Sequence, residues 1–476
     1  MPVRHDGVVI PVVTPDEMGA IDAAAPEPEH VLVARAGAAV VRAAVRMLGG
    51  TYGRRVIVVA GKGNNGADGR VAAERLRSRG VRVDVLEADR LPDLLDPCDL
   101  VIDAAYGTGM RGTYVAPTTS IGTPVLAVDI PSGVDGFTGA VADGSHVLPA
   151  DRTVTFAAYK PGLLLGAGAE LAGEVEVADI GLVTDTARAH LVTDADVHDW
   201  LPAPAFDTNK WRTAVWVVAG SPGMDGAAAL VAAGAQRAGA GYVRLSMPSG
   251  DGSSLPYAPH VPVEVVRRPL AATGWWADVR GDLDRFGALV VGNGLGLADG
   301  MAHDVRSIVA ASTVPTVVDA DALTLLGTDA ARVVGPHVVV TPHDGEFVRL
   351  AGGPPGADRI AAARDLAADL GCTVLLKGPC TVVAAPDGQV LLVATGDARL
   401  ATAGTGDVLA GVIGALCARG LDPWLAAAAA AHLHGRAGAL GWRTGGVASD
   451  LPALLPVAVS SLATGPHRST SAAHQS

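Results

Sequence analysis

Residues 400–410 read LATAGTGDVLA. The Gly-Thr-Gly turn of Gly404, Thr405 and Gly406 delivers Asp407 into the first turn of an apolar helix, VLAGVIGALCA. Glycines let backbone N–H groups approach an anion closely, and a helix N-terminus adds the positive end of a dipole. A carboxylate beside a phosphate bound there is placed to take a proton from an attacking hydroxyl. The segment therefore points to phosphoryl transfer to an alcohol, with Asp407 as general base. It carries neither the Lys-Ser/Thr ending of a P-loop nor the kinase catalytic-loop pattern. Read alone, the same residues also describe a glycine-rich helix cap with an N-terminal Asp.

A second chemistry is spread over three strand ends in the N-terminal half. The run VIVVA passes into GKGNNGADG, where Gly61, Gly63 and Gly66 satisfy G-x-G-x-x-G and Glu87 follows about 20 residues later. Asn64, Asn65 and Asp68 are unusual in a plain pyrophosphate cradle, although an Asn-Gly turn uses the same residues. The next strand ends in Asp103 before YGTGMRG, and the one after in Asp129 before IPSGVDG. Oxygen donors from Asn, Asp and Ser suit a hard cation. In the C-terminal half Lys377 ends a strand before Gly378, a place where a cation can meet phosphate. His343 and Glu346 follow a strand and a proline.

These residues need a frame. Strand-like runs alternate with helical patterns at Val56–Ala60, Val81–Leu86, Leu100–Asp103, Val125–Ile130 and Thr153–Phe156. A second series follows from Ala214–Ala219 to Thr381–Ala384. The alternation predicts an α/β protein with mainly parallel sheets and helices on both faces. At 476 residues and 49% hydrophobic content the chain can bury more than one core. The Pro-rich segment Trp200–Asp207 reads as a linker, giving domains at 1–204 and 208–462, with a polar tail, 463–476, expected to be disordered. A net charge of −13 argues against nucleic-acid or anionic-membrane surfaces. Cys98, Cys372, Cys380 and Cys417 have neither metal-ligand spacing nor a disulfide layout. With no signal-peptide pattern and no transmembrane-length apolar run, a reducing, cytoplasmic setting is expected.

The motifs also carry a resemblance. GKGNNGADG, DAAYGTGMRG, VAVDIPSGVDGFTG, VTFAAYKPGLLLGAG and VEVADIGL resemble those of the YjeF N-terminal family, the NAD(P)HX epimerases, over residues 10–185. The resemblance implies a Rossmann-like three-layer fold and a K⁺ ion held by Asn65, Asp103 and Ser132. It also implies substrate contacts from Asn64, Asn65, Gly66, Ala67 and Asp68, from the loop Gly107, Thr108, Gly109, Met110, Arg111, Gly112 and Thr113, and from Asp129, the candidate for proton chemistry. Ala67 stands where the family usually has Gly. The connections Leu86–Asp99 and Gly112–Val125 are short for parallel crossovers.

From GSPGMDGAAALVAAGAQ through LVVGNGLG, VVDADAL, VVVTPHDGEF and VLLKGPCTVV to the Gly-Thr-Gly-Asp turn, residues 208–455 resemble the YjeF C-terminal family, ADP/ATP-dependent NAD(P)HX dehydratases with a ribokinase-like fold. This implies nucleotide contacts from Lys377, Gly378, Pro379, Cys380, Thr381, Gly404, Thr405 and Gly406. It implies that Ala227, Gly294, His343 and Asp407 face the hydrated cofactor. NGLG replaces the commoner PGLG, so Asn293 is a departure, and one expected to lie away from the phosphoryl-transfer centre.

The reading is a bifunctional enzyme. On the resemblance, the N-terminal half is expected to interconvert R and S hydrates of NAD(P)H with K⁺. The C-terminal half dehydrates the S form with ADP and Mg²⁺. A homo-oligomer acting on NADHX or NADPHX is expected. The alternative is a ribokinase-like small-molecule kinase carrying a non-catalytic N-terminal binding or assembly module.

Overall fold

A computed structural model describes residues 10–203 and 206–462. The tail 463–476, expected to be disordered, lies outside the described residues. Two compact units are present, Ile10–His190 and one from Leu191 onward. The division falls before Trp200–Asp207, so the 204/208 boundary needs correction. The helix Asp194–Trp200 belongs with the C-terminal unit because Val197 is fully buried in that unit's core. Asp194 also meets His432 Nε2 at 2.7 Å and Arg436 at 3.0 Å. Among the described residues no helix is long and apolar enough to cross a membrane.

Among the described residues the N-terminal unit has a six-stranded sheet: β1 (Arg55–Ala60), β2 (Arg82–Glu87), β3 (Leu100–Ala104), β4 (Val125–Val128), β5 (Arg152–Phe156) and β6 (Glu174–Ala178). Their order is β2-β1-β3-β4-β5-β6, and every pairing is parallel. Side chains alternate between two faces, as the pleat requires. One face, with Val56, Val58, Ile102 and Leu126, is covered by the helices Glu29–Leu48 and Asn64–Arg77. The other, with Ile57, Val59, Val101 and Ala127, packs on Leu95, Tyr114, Ala116 and Leu148. Those four sit in irregular segments tied together by the single bridges Leu94–Thr118 and Val115–His146. The third layer is thus built from loops, which corrects the expectation of helices on both faces. Short connections leave no room for a crossover helix, and a few buried apolar side chains seal the sheet instead.

The C-terminal unit continues with β7 (Ala214–Val218), β8 (Tyr242–Ser246), β9 (Val266–Arg267), β10 (Ala288–Val291), β11 (Thr316–Val318), β12 (Val338–Val340), β13 (Thr373–Leu376), β14 (Thr381–Ala384) and β15 (Val390–Val393). These nine order as β15-β14-β13-β12-β11-β10-β7-β8-β9. Pairings from β9 to β13 are parallel, and β13-β14-β15 are antiparallel hairpins. The helices Asp225–Arg237 and Thr405–Ala418 cross at very short range. A methyl on Gly411 would come 2.1 Å from the Val231 carbonyl oxygen, and one on Gly234 would come 2.5 Å from that of Val408. That approach seats the Gly-Thr-Gly-Asp turn at the carboxyl ends of β7 and β10, where the strand order reverses. In open α/β sheets this is where ligands bind.

Candidate active sites

In the N-terminal unit the strand order reverses between β1 and β3, and both strand ends feed one cavity of about 720 Å³. Asn64, Asn65, Asp68, Gly107, Thr108, Gly109, Met110 and Asp129 line it. The glycines make the approach possible: a methyl on Gly61 would lie 1.9 Å from the Ala105 carbonyl oxygen, and one on Gly66 would lie 1.9 Å from that of Gly61. Gly66 therefore shapes the loop from behind rather than lining the cavity. Ala67, on the first turn of its helix, bonds back to Gly63 at 3.1 Å and needs no glycine there. Arg111, Gly112 and Thr113 are exposed and outside the lining.

Asp129 holds a left-handed backbone, φ 67°. Such strain in a non-glycine residue concentrates at functional sites. Its Oδ1 accepts from Lys160 Nζ at 2.6 Å and from Thr155 Oγ1 at 3.0 Å. Lys160 is fully buried and also donates to Thr155 Oγ1 and to the Phe156 carbonyl. Three acceptors around one ammonium fix the orientation of Asp129. Asp68 is a third titratable group, pushed up to about 8 by burial and by the Asp129 and Asp22 carboxylates, so its carboxyl favours the neutral form at pH 7. Asp103 is buried and raised by desolvation, although Ser132 donates to it twice, from Oγ at 2.6 Å and from the backbone at 2.9 Å. Both amide atoms of the Asn65 side chain are buried without a hydrogen-bond partner among the described residues.

In the C-terminal unit the Thr405–Ala418 helix starts from Gly404, φ 92°. Its first turn leaves amides without intrahelical partners. Lys377 Nζ lies against this turn, 3.5 Å from where a methyl on Gly406 would stand. Asp407 accepts from Asn293 Nδ2 at 2.8 Å. Burial pushes its carboxyl up to about 6. The Asn293 hydrogen bond and Lys377 oppose the shift, and Asp319 and Asp321 add to it. Lys377 is bonded to Asp319 at 2.6 Å, and although burial works against its charge, Asp319, Glu346 and Asp407 raise it further. Gly294, φ 64°, meets Ala227, their Cβ positions 3.0 Å apart.

The turn from Lys377 to Thr381 joins β13 to β14. Arg359 braces it by donating to the Lys377 carbonyl at 2.7 Å, and a methyl on Gly378 would sit 3.0 Å from the same guanidinium. The Cys380 thiol is buried and pushed up to about 12, so only the backbone there can meet a ligand. The Thr405 hydroxyl turns inward to the Leu400 and Thr402 carbonyls. His343 caps the helix Asp344–Ala351: its Nδ1 accepts from Gly345 N at 2.9 Å, while Glu346 accepts from His343 N.

The NAD(P)H-hydrate dehydratase family matches residues 215–457, and the YjeF-related protein N-terminus matches 29–94 and 86–162. A bifunctional NAD(P)H-hydrate repair enzyme of Moorella thermoacetica is 35% identical, over 95% of this chain and 97% of that one. The corresponding protein of Mycobacterium tuberculosis is 39% identical over 80% and 82%. The chain belongs to the bifunctional NAD(P)H-hydrate repair enzyme family. A ribokinase-like superfamily protein of Enterococcus faecalis, 21% identical, covers 58% of this chain and 96% of its own with a TM-score of 0.51, which shows the ribokinase-like fold.

Within that family frame, two residues were not assigned roles from sequence. Lys160 carries its signal in YKPG, a cation set in an otherwise apolar stretch after β5. Asn293 was expected to lie away from the phosphoryl-transfer centre. The structure corrects this, because its amide touches both Asp407 and Asp319.

Proposed function

We propose that the chain restores NAD(P)H from its hydrates. The N-terminal cavity interconverts the R and S forms, and the C-terminal unit dehydrates the S form at the expense of ADP. The observation that carries the reading is Asp407, held by Asn293 at the mouth of a glycine-built anion turn with Lys377 alongside. Asp407 takes the proton of the substrate hydroxyl as its oxygen attacks the terminal phosphorus of ADP, releasing AMP. Phosphate then leaves with the C–O electron pair while the neighbouring carbon gives up a proton, which restores the ring double bond. Hydroxide is a poor leaving group and phosphate a good one, which is why a nucleotide is consumed. Mg²⁺ bound with the nucleotide would neutralise charge on the transferring phosphates. Among the described residues no group of three or more His, Cys, Asp or Glu side chains is arranged to hold a metal.

In the N-terminal cavity the hydrated carbon is a hemiaminal. Taking its hydroxyl proton lets the ring C–N bond open, with the nitrogen receiving the proton, and reclosure on the other face inverts the centre. Asp129, oriented by Lys160, is the group that moves this proton. The unpartnered Asn65 amide oxygen, with Asp103 and Ser132, has the oxygen chemistry of a K⁺ site. Bound there, K⁺ would supply positive charge beside the substrate.

The test supplies pure R or pure S hydrate with excess ADP and follows NADH absorbance. Asp407→Asn should lose about 10²–10⁴-fold on S hydrate. Asp129→Asn should lose R-to-S conversion above the spontaneous rate and keep S-hydrate turnover. Near-normal S turnover in Asp407→Asn rejects the base assignment. R conversion no faster than spontaneous in the parent chain rejects the epimerase half.

A further inference from the structure

Asn293 lies where the Gly292–Gly294 segment leaves β10. It is fully buried, and both of its amide protons are used. One goes to Asp319 Oδ2 and the other to Asp407 Oδ1, each at 2.8 Å. The reverse amide orientation would press its oxygen between two carboxylates, so the donor assignment follows from the partners. Its backbone is pinned as well. The Asn293 carbonyl accepts from Gly220 N at 2.8 Å, and a methyl on Gly292 would come 1.9 Å from the Asp319 carbonyl oxygen. Asp319 is held from its other side by Lys377 at 2.6 Å and by Thr341 Oγ1 at 2.7 Å. One continuous line therefore runs Lys377–Asp319–Asn293–Asp407.

We infer that Asn293 is a positioning residue for the dehydration step: it fixes the Asp407 carboxylate in its proton-accepting orientation and holds it apart from Asp319. The inference rests on the reading of Asp407 as the base. Among the described residues three charged groups act on Asp407. They are Asp319 after β11, Asp321 on the helix Asp321–Leu326, and Lys377 after β13. Two of the three are carboxylates, and burial adds to their effect. Asn293 supplies a neutral donor that favours the ionised form without occupying the place of the incoming phosphate. Removing its N–H groups leaves two buried carboxylates facing each other, and a proton is then retained to higher pH.

The experiment measures kcat and KM of the full chain against pH, with S hydrate and ADP. Asn293→Leu removes both donors, and Asn293→Asp keeps the volume but adds a third carboxylate. Both should move the acid limb of kcat upward by about one unit, costing about twofold in kcat at pH 7 and about tenfold at pH 5, with KM for ADP within about twofold. If Asn293→Leu does not fold, the near-isosteric Asn293→Asp carries the same test. An acid limb within about 0.3 unit of the parent in a folded variant overturns the inference. So does a pH-independent loss matched by weaker ADP binding, which is what a merely structural residue would give. Asp407→Asn is run alongside. If it stays active the base reading fails, whereas an inactive Asp407→Asn with unmoved Asn293 profiles rejects only the role of Asn293.

Discussion

At the scale of single residues, each unit holds a carboxylate oriented by committed donors, Lys160 and Thr155 for Asp129 and Asn293 for Asp407. Among the described residues Asp68 has no such partner, and its carboxyl is raised to about 8. The sign follows from linkage. Below about pH 4 both folded and unfolded chains hold the proton and there is no effect. As pH rises from about 4 to 8 the unfolded chain releases it and the folded chain keeps it, so stability falls by up to about 1.4 kcal/mol per unit. Asp68→Asn should therefore melt like the parent at pH 4 and at a higher temperature at pH 8. Equal melting at both values would mean that the Asp68 carboxyl is not desolvated. For Lys377→Ala, losing charge-assisted hydrogen bonds of about 1.5–3 kcal/mol should weaken ADP binding by about 10–100-fold in a calorimetric titration. Unchanged affinity would leave Lys377 only as the partner of Asp319. In the sequence Asp407 was singled out by the Gly-Thr-Gly turn before an apolar helix, and Asp129 and Lys377 by the strand-like runs they follow. Asn293 was not, because an asparagine between two glycines is also an ordinary turn.

At the scale of elements, the decisive contact is between Asp225–Arg237 and Thr405–Ala418. Gly411→Ala sets two effects against each other. Alanine favours a helix over glycine by about 1 kcal/mol. The added methyl would stand 2.1 Å from a backbone oxygen, and overpacking of this kind costs about 1–3 kcal/mol or more because a backbone cannot swing aside as a side chain does. The clash wins. Gly411→Ala should lower the melting temperature and, by pushing the helix off the sheet, reduce S-hydrate turnover although residue 411 lies a full turn from Asp407. A stabilised, fully active variant would show that the helices are less closely apposed. Most strands were legible as Val-rich runs with limits within a residue or two, as with Arg82–Glu87 against Val81–Leu86, but Glu174–Ala178, Val266–Arg267 and Val390–Val393 were not. The loop-built layer of the N-terminal unit was not legible. Leu95, Tyr114, Ala116 and Leu148 share a face only after the chain has folded, and nothing periodic in their segments announces it.

At the scale of the whole molecule, the sequence separates two chemistries correctly but divides the chain too late. Proline marks a break in regular structure, and Trp200–Asp207 has the composition of a linker, yet the helix before it packs with the unit that follows. A C-terminal fragment starting at residue 208 discards Val197, fully buried in that core, and Asp194, the partner of His432 and Arg436. It also discards the Pro202 carbonyl, which accepts from Arg419 at 2.8 Å. Burying one Val side chain contributes about 1.5–3 kcal/mol, and stranding a buried polar group costs about 1–3 kcal/mol. Together these are a substantial fraction of the 5–15 kcal/mol typical of a domain. Fragments beginning at Leu191 and at Thr208 should therefore differ. The first should dehydrate S hydrate at the rate of the full chain. The second should melt several degrees lower and lose activity on warming sooner. Both should lack R-to-S conversion, because Asp129 and Lys160 lie upstream of either start. Equal melting temperatures would make Asp194–Trp200 a mere tether. An inactive Leu191 fragment that is folded would instead mean that dehydration needs residues of the N-terminal unit.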